Sequence, residues 1–184
     1  MQAHALAMDM TDDPVVALIS SGQHREALTE CARLHGRSIG RVCIALLGSQ
    51  SDADEATQET LLRAHRAMAT YRGEGSIKAW LCGIARHVCA HVLETRRKGR
   101  EALALVPDEP AARDHYEAKH RATAVRGALA QLKPSEREAL VLRFVADLSH
   151  KEIATSLGNV DEATARKRIS RALAKLRTVL PEEI

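Results

Sequence analysis

The segment SHKEIATSLGNVDEATARKRISRALAKL, residues 149–176, lies in the cation-rich end of the chain: residues 161–178 hold six lysines and arginines against two acids. Cations at helical spacing suit contact with phosphates, and arginine is well matched to the two acceptors on a guanine edge. Ala165, Ile169, Leu173 and Leu176 recur at three- and four-residue steps and make an apolar stripe, which leaves Arg166, Lys167, Ser170, Arg171 and Lys175 facing outward. Ile153, Ala154 and Leu157 supply an apolar partner for that stripe. Ser149 with Glu152 three residues on reads as a capping box, Gly158 as a left-handed stop, and Asp161 as the cap of the second helix. Two capped helices, a tight turn and a basic second helix make a helix-turn-helix able to enter a DNA groove. A plain solvated basic face on a bundle helix would explain the charge but not the caps and the turn.

Three further constellations could do chemistry upstream. Arg96, Arg97, Lys98 and Arg100 cluster at the end of a helical pattern, where the helix dipole favours them with or without a polyanion. The connection YRGEGSIKAW is short and Gly-rich; Tyr71 offers a ring on which a base could stack, and Trp80 anchors the helix that follows. The helix from Asp52 places Glu55, Gln58, Glu59 and Arg63 on its polar side, an acidic and amide face suited to docking steered by charge. Cys31, Cys43, Cys82 and Cys89 show no Cys-x-x-Cys spacing and read as core filler. His87 and His91 share a helix flank four residues apart, yet no third and fourth ligand at recognised spacing joins them, so no metal or cofactor is expected. No nucleophile, base and oxyanion arrangement and no phosphate-binding Gly loop occurs, which argues against an enzyme.

The elements that must position these residues are helical. Aromatic residues make up 2% of the 184 residues, so a core of Leu, Ile, Val and Ala is expected, which suits helix packing. Charge is unevenly spread: residues 1–62 hold four arginines against nine acids, whereas residues 86–100 hold five basic residues against one acid. An acidic front with two basic surfaces behind it suits a protein that meets a polyanion on one side and another protein on the other. No apolar run approaches the ~20 residues that cross a bilayer, and the first 20 residues lack a leader pattern, so a cytoplasmic location is expected.

The pattern predicts an all-α fold of two small helical domains joined by a flexible linker. A tail of residues 1–13 precedes a first domain over 14–98, whose clearest helices run from Asp52 to Thr70 and from Ser76 to Arg97, with Ile84, Val88 and Val92 inward and His87 outward. Residues 99–115, with two prolines and no lasting period, read as the linker. The second domain covers 116–184; its first helix resumes near Tyr116, Lys133 and Pro134 break it, and Ser135 with Glu138 reads as the next capping box.

The stretch SDADEATQETLLRAHRAMATYRGEGSIKAWLCGIARHVCAHVLETRRK resembles region 2 of extracytoplasmic-function sigma factors, and LKPSEREALVLRFVADLSHKEIATSLGNVDEATARKRISRALAKLR resembles region 4 of the same family. The two blocks occur in the family's order. The resemblance implies a dissociable subunit of bacterial RNA polymerase that directs the enzyme to promoters and helps open them. It places Glu55, Gln58, Glu59 and Leu62 against the clamp helices of the largest polymerase subunit, with the flap as a second polymerase contact. It puts Tyr71, Arg72, Gly73, Glu74, Gly75 and Ser76 around a base flipped from the −10 element, and Arg96, Arg97, Lys98 and Arg100 on phosphates. His87 stands where the family often has Asn within IARN, so the preferred −10 base is open. Arg166, Lys167, Ser170, Arg171 and Lys175 would meet the −35 element, and Ala165 replaces a usual Val. An anti-sigma factor, often tethered in the membrane, is the regulator the resemblance implies. A helix-turn-helix regulator acting without polymerase, or a metal- or thiol-responsive helical protein, would be the alternatives. The promoter sequence, regulon and inducing signal are not readable from the chain.

Overall fold

The computed structural model describes residues 13–73, 75–102, 127–129 and 131–179. Among them the ordered elements are helices: α1 (Pro14–Ser20), α2 (His24–Leu47), α3 (Gln50–Ala67), a 3-10 turn (Met68–Thr70), α4 (Ile77–Ala102), α5 (Pro134–Phe144), α6 (His150–Ser156) and α7 (Glu162–Val179). Among the described residues no helix is long and apolar enough to cross a membrane. The tail expected over 1–13 lies outside the described residues apart from Asp13, as does most of the helix expected from Tyr116.

Local chemistry starts and stops each helix. Asp13 accepts the Val15 N–H at 2.9 Å, and Pro14 at the first helical position has no N–H to leave unsatisfied. Ser49 caps α3 by accepting from Asp52 N at 3.4 Å. Ser76 caps α4 by accepting from Ala79 N at 3.1 Å. α4 continues to Ala102, so the backbone stays helical four residues into the segment expected to be linker. The capping box at Ser149 forms as expected: Ser149 N donates to Glu152 at 2.8 Å and Glu152 N donates to Ser149 Oγ at 3.3 Å. Asp161 caps α7 through Thr164 N at 2.7 Å, and Gly158 adopts the positive φ of 92° that the turn requires.

One expected cap is corrected. α5 begins at Pro134 rather than Ser135, and it is Glu136, not Glu138, whose carboxylate reaches back, accepting the Lys133 N–H at 3.1 Å. The reason is the fixed φ of proline, which is already helical and so claims the first position. Glu138 is thereby released to pair with Arg86.

α2, α3 and α4 pack around a core that includes Ile39, Val42, Met68, Ile77 and Leu81, and α5, α6 and α7 around Leu142, Leu148, Ile153, Ala165 and Ile169. All four cysteines are buried and free. Burial pushes the thiols of Cys31 and Cys82 up to about 11 and about 12, so both are neutral packing groups near neutral pH. Val88 is buried as expected, with Ile84 and Val92 packed at the core's edge. The two helical groups meet: α6 lies against the start of α4, and α5 touches α2.

Candidate functional site

α3 and α4 form the walls of a groove of about 530 Å³. Glu55, Gln58, Glu59 and Leu62 all line it from α3, and Val88, Val92 and Arg96 from α4. All four residues expected to dock polymerase therefore come together on one surface. Leu62 is 50% exposed, an apolar contact left open to water, while Gln58 and Glu55 are also exposed. Glu59 is held by Arg63 at 2.6 Å, and this contact keeps its carboxyl below the usual range. Arg96 ion-pairs with Asp52 across the groove's end, so this expected phosphate ligand also ties α4 to α3. Arg97 and Lys98 share Glu94, at 2.8 and 3.5 Å. The Arg100 side chain lies outside the described residues.

The Gly-rich connection folds back on itself. Tyr71 Oη donates to Gly75 O at 3.1 Å, and its ring meets the Trp80 ring at a centroid distance of 4.9 Å and an angle of 52°. Gly75, at φ 91°, occupies backbone space that a side chain would strain. Tyr71, Arg72 and Gly73 line a recess of about 500 Å³ together with Met68 and, from the N-terminal side, Val16, Ile19, Ser20 and His24. Sequence reasoning missed the α1 wall and His24. Glu74 lies outside the described residues. Ser76 has both hydroxyl roles engaged, capping α4 and donating to Glu152 Oε1 at 2.5 Å.

His87 is exposed, as its place off the apolar stripe predicts. Arg86 Nη2 lies 2.6 Å from its Nε2. A guanidinium can only donate, so Nε2 must be the acceptor, and the ring proton sits on Nδ1. Partial burial, then Arg86 and Arg63, hold the imidazole below its usual pKa, which keeps it neutral. An asparagine at this place would offer two N–H donors on one nitrogen, whereas this ring offers one donor on Nδ1.

Arg86 itself was not singled out in sequence. Its side chain is 13% exposed, and it donates to Ser156 O at 3.2 Å and pairs with Glu138 at 3.3 Å. A lone arginine within the apolar run LCGIARHVC was the available signal, since a buried guanidinium requires partners.

On α7, Lys167, Ser170 and Arg171 are exposed, and Arg166 is exposed while leaning on Glu162 at 3.2 Å. Ala165 is fully buried against the neighbouring helices. Lys175 is committed differently from its neighbours: its ammonium donates at 2.7 Å to Glu136, a buried acid that it holds below the usual carboxylate pKa. A depressed folded pKa contributes stability above the unfolded value near 4.5 and loses it as pH falls through the folded one. Lys175→Ala should therefore destabilise the fold at pH 7 by about 1 kcal/mol, because the lysine side chain stays 45% exposed and screened. Urea unfolding at pH 7 and at progressively lower pH below 4.5 checks this; the gap from the parent should narrow as the pH falls. A gap independent of pH would mean that the lysine acts by packing alone.

Residues 31–100 match the family described as Sigma-70 region 2, and residues 122–176 match Sigma-70, region 4. The ECF RNA polymerase sigma factor SigC of Mycobacterium tuberculosis is 34% identical over 170 residues, covering 91% of this chain and 91% of that protein. The ECF RNA polymerase sigma factor SigE of Mycolicibacterium smegmatis is 31% identical over 159 residues and 82% of this chain. This chain spans 60% of the length of that SigE. Among solved structures, the sigma factor RpoE of Bartonella quintana, crystallised with the anti-sigma factor NepR, matches with a TM-score of 0.63 at 23% identity over 85% of this chain and 98% of that one. At that identity the likeness is one of fold.

Proposed function

The chain belongs to the extracytoplasmic-function family of RNA polymerase sigma factors, and from that premise we propose that it binds core RNA polymerase, reads −35 and −10 promoter elements and promotes promoter melting. The observation that carries this reading is the presence, on one chain, of two separate surfaces. One is a groove where Glu55, Gln58, Glu59 and Leu62 converge; the other is a capped helix-turn-helix with Arg166, Lys167, Ser170 and Arg171 exposed on its second helix. A DNA-binding regulator needs only the second. In this reading the groove takes the clamp helices of the largest subunit. The flap meets the helix-turn-helix lobe, where Phe144, the chain's single phenylalanine, is 64% exposed.

α7 enters the major groove of the −35 element, with Arg166 and Arg171 as base readers, Lys167 and Ser170 beside them, and Lys175 at the edge. The recess beside Tyr71 holds a flipped −10 base, His87 selects at the neighbouring position through Nδ1–H, and Arg97 and Lys98 hold phosphates. The first domain, over 14–98, serves polymerase and the −10 element, and the second, over 116–184, serves the −35 element. The protein is an initiation factor rather than an enzyme, works in the cytoplasm, and is held in check by an anti-sigma partner, as RpoE is paired with NepR.

In vitro transcription from a promoter library with purified core polymerase tests the reading. Sequence-specific initiation that depends on the added chain is expected; tight specific binding to duplex DNA without polymerase, and no initiation with it, would favour a free-standing regulator. Tyr71→Ala should lower promoter opening about 5- to 150-fold, because base stacking on an aromatic ring is worth roughly 1–3 kcal/mol, while duplex binding changes little. Permanganate reactivity of the −10 region reports it, and equal reactivity in the variant would remove Tyr71 from the base site.

A further inference from the structure

Two of the four cysteines face each other across the core of the first domain. Cys43 belongs to α2 and Cys89 to α4; both are buried, and the Cys89 thiol donates a hydrogen bond to the Cys43 sulfur. Cys89 also lines a cleft of about 300 Å³ together with Leu46, which sits one turn beyond Cys43 on the same side of α2. Arg86, Arg97 and Arg137 line that cleft against Glu94 and Glu138, so cations outnumber acids in it. The hydrogen bond from Cys89 holds the Cys43 thiol below its usual pKa, whereas burial pushes Cys31 up to about 11 and Cys82 up to about 12. A thiolate steadied by its partner's S–H, with cations nearby, is the setting in which a cysteine pair reacts. Core filling asks only for apolar volume and does not call for paired sulfurs beside a cation-lined cleft.

We propose that Cys43 and Cys89 are a hydroperoxide-responsive dithiol whose oxidation to a disulfide ties α2 to α4. A small hydroperoxide fits the cleft and meets Cys89 there. Proton transfer along the hydrogen bond, from Cys89 to the Cys43 thiolate, leaves the attacking thiolate on Cys89. Its sulfur attacks one peroxide oxygen and becomes a sulfenic acid; the O–O bond breaks, and the departing alkoxide takes the proton now on Cys43. The Cys43 thiolate then attacks the sulfenic sulfur, the S–S bond forms and hydroxide leaves. Counting the proton that Cys43 released beforehand, two thiols and one hydroperoxide give one disulfide, one alcohol and one water, and two electrons pass from sulfur to oxygen. Thiol reductants reopen such a bond, so it can act as a reversible signal. Bonded sulfurs stand about 2 Å apart, closer than two hydrogen-bonded thiols, so closure draws α4 toward α2. α4 carries Val88, Val92 and Arg96 of the groove, and Val88 adjoins Cys89 in sequence. The effect on transcription rests on the polymerase reading of that groove given above; the disulfide itself does not.

Peptide mapping of the full parent chain tests the pair without any substitution. The reduced protein is exposed to hydrogen peroxide, remaining thiols are blocked with an alkylating agent, and the digest is analysed without reductant. A peptide pair joined through Cys43 and Cys89, lighter by two hydrogens than its reduced halves, is expected. It should form at least about tenfold faster than any oxidation product of Cys31 or Cys82, whose neutral thiols supply little thiolate. No linked pair, or oxidation spread evenly over the four cysteines, overturns the proposal. Once peroxide is removed and core polymerase added, the oxidised parent should open promoters at least about fivefold less than the same sample after re-reduction, the lower end of typical coupling between sites. Cys89→Ala cannot close the disulfide and should open promoters equally with and without prior oxidation. Equal opening by the linked and re-reduced parent, or a peroxide effect that persists in Cys89→Ala, overturns the link between the pair and the groove. Absence of transcription with the reduced parent would count against the sigma reading alone, while the mapping still decides the dithiol.

Discussion

Replacing Gln58, Glu59 and Leu62 together by alanine is expected to weaken binding to core RNA polymerase by about 30- to 1,000-fold. The three line one groove, and among the described residues Leu62 keeps half its surface in water. Exposed leucine beside acid and amide groups has the form of an interface centre, where truncating a few anchors costs about 2–4 kcal/mol. Folding should survive. Gln58 is exposed, and losing Glu59 leaves Arg63 at the surface, where a solvent-screened ion pair contributes little to stability. Core-binding titrations alongside thermal melts measure both effects. Parent-like affinity in the triple variant would move the docking surface elsewhere.

Ile153→Ala should unfold the helix-turn-helix lobe preferentially. Ile153 is fully buried in α6, and α6 is only seven residues long, so the helix depends on that anchor. Deleting three carbons from a closed site costs about 2–5 kcal/mol, which lowers Tm by roughly 5–15 °C in a chain of this size. Initiation at promoters that rely on the −35 element should fall with it. Ile153→Val leaves most of the volume and should cost about 0.5–1.5 kcal/mol. Calorimetry on the two variants decides the point; equal Tm values would show that the site can collapse around the missing atoms.

The caps of α6 and α7 could be read from sequence because their chemistry is local. Ser149 and Glu152, Gly158, and Asp161 with Thr164 act within three residues or through their own backbone, and the structure realises each as expected. The face of α3 was legible for the same reason, since helical periodicity fixes which residues share a side whatever lies opposite. The cap of α5 was misplaced by two residues, because a Ser–Glu pair at the right spacing outweighed the stronger backbone preference of the neighbouring Pro134.

Composition could say that the chain is helical and basic at two places, but it could not say which charges are spoken for. Lys175 looked like any other cation on α7, and only packing 39 residues away brought Glu136 under it. Glu152 read as a capping residue alone; its bond to Ser76 spans 76 residues. Arg86 is bound to groups 52 and 70 residues distant, and the α1 wall beside Tyr71 belongs to a helix with no chemistry of its own. Sequence by itself determined the helices, their ends and the faces they present, because those follow from backbone geometry and near neighbours. The tertiary structure alone decided which polar groups on those faces meet, because the partner of a buried charge is set by how helices pack.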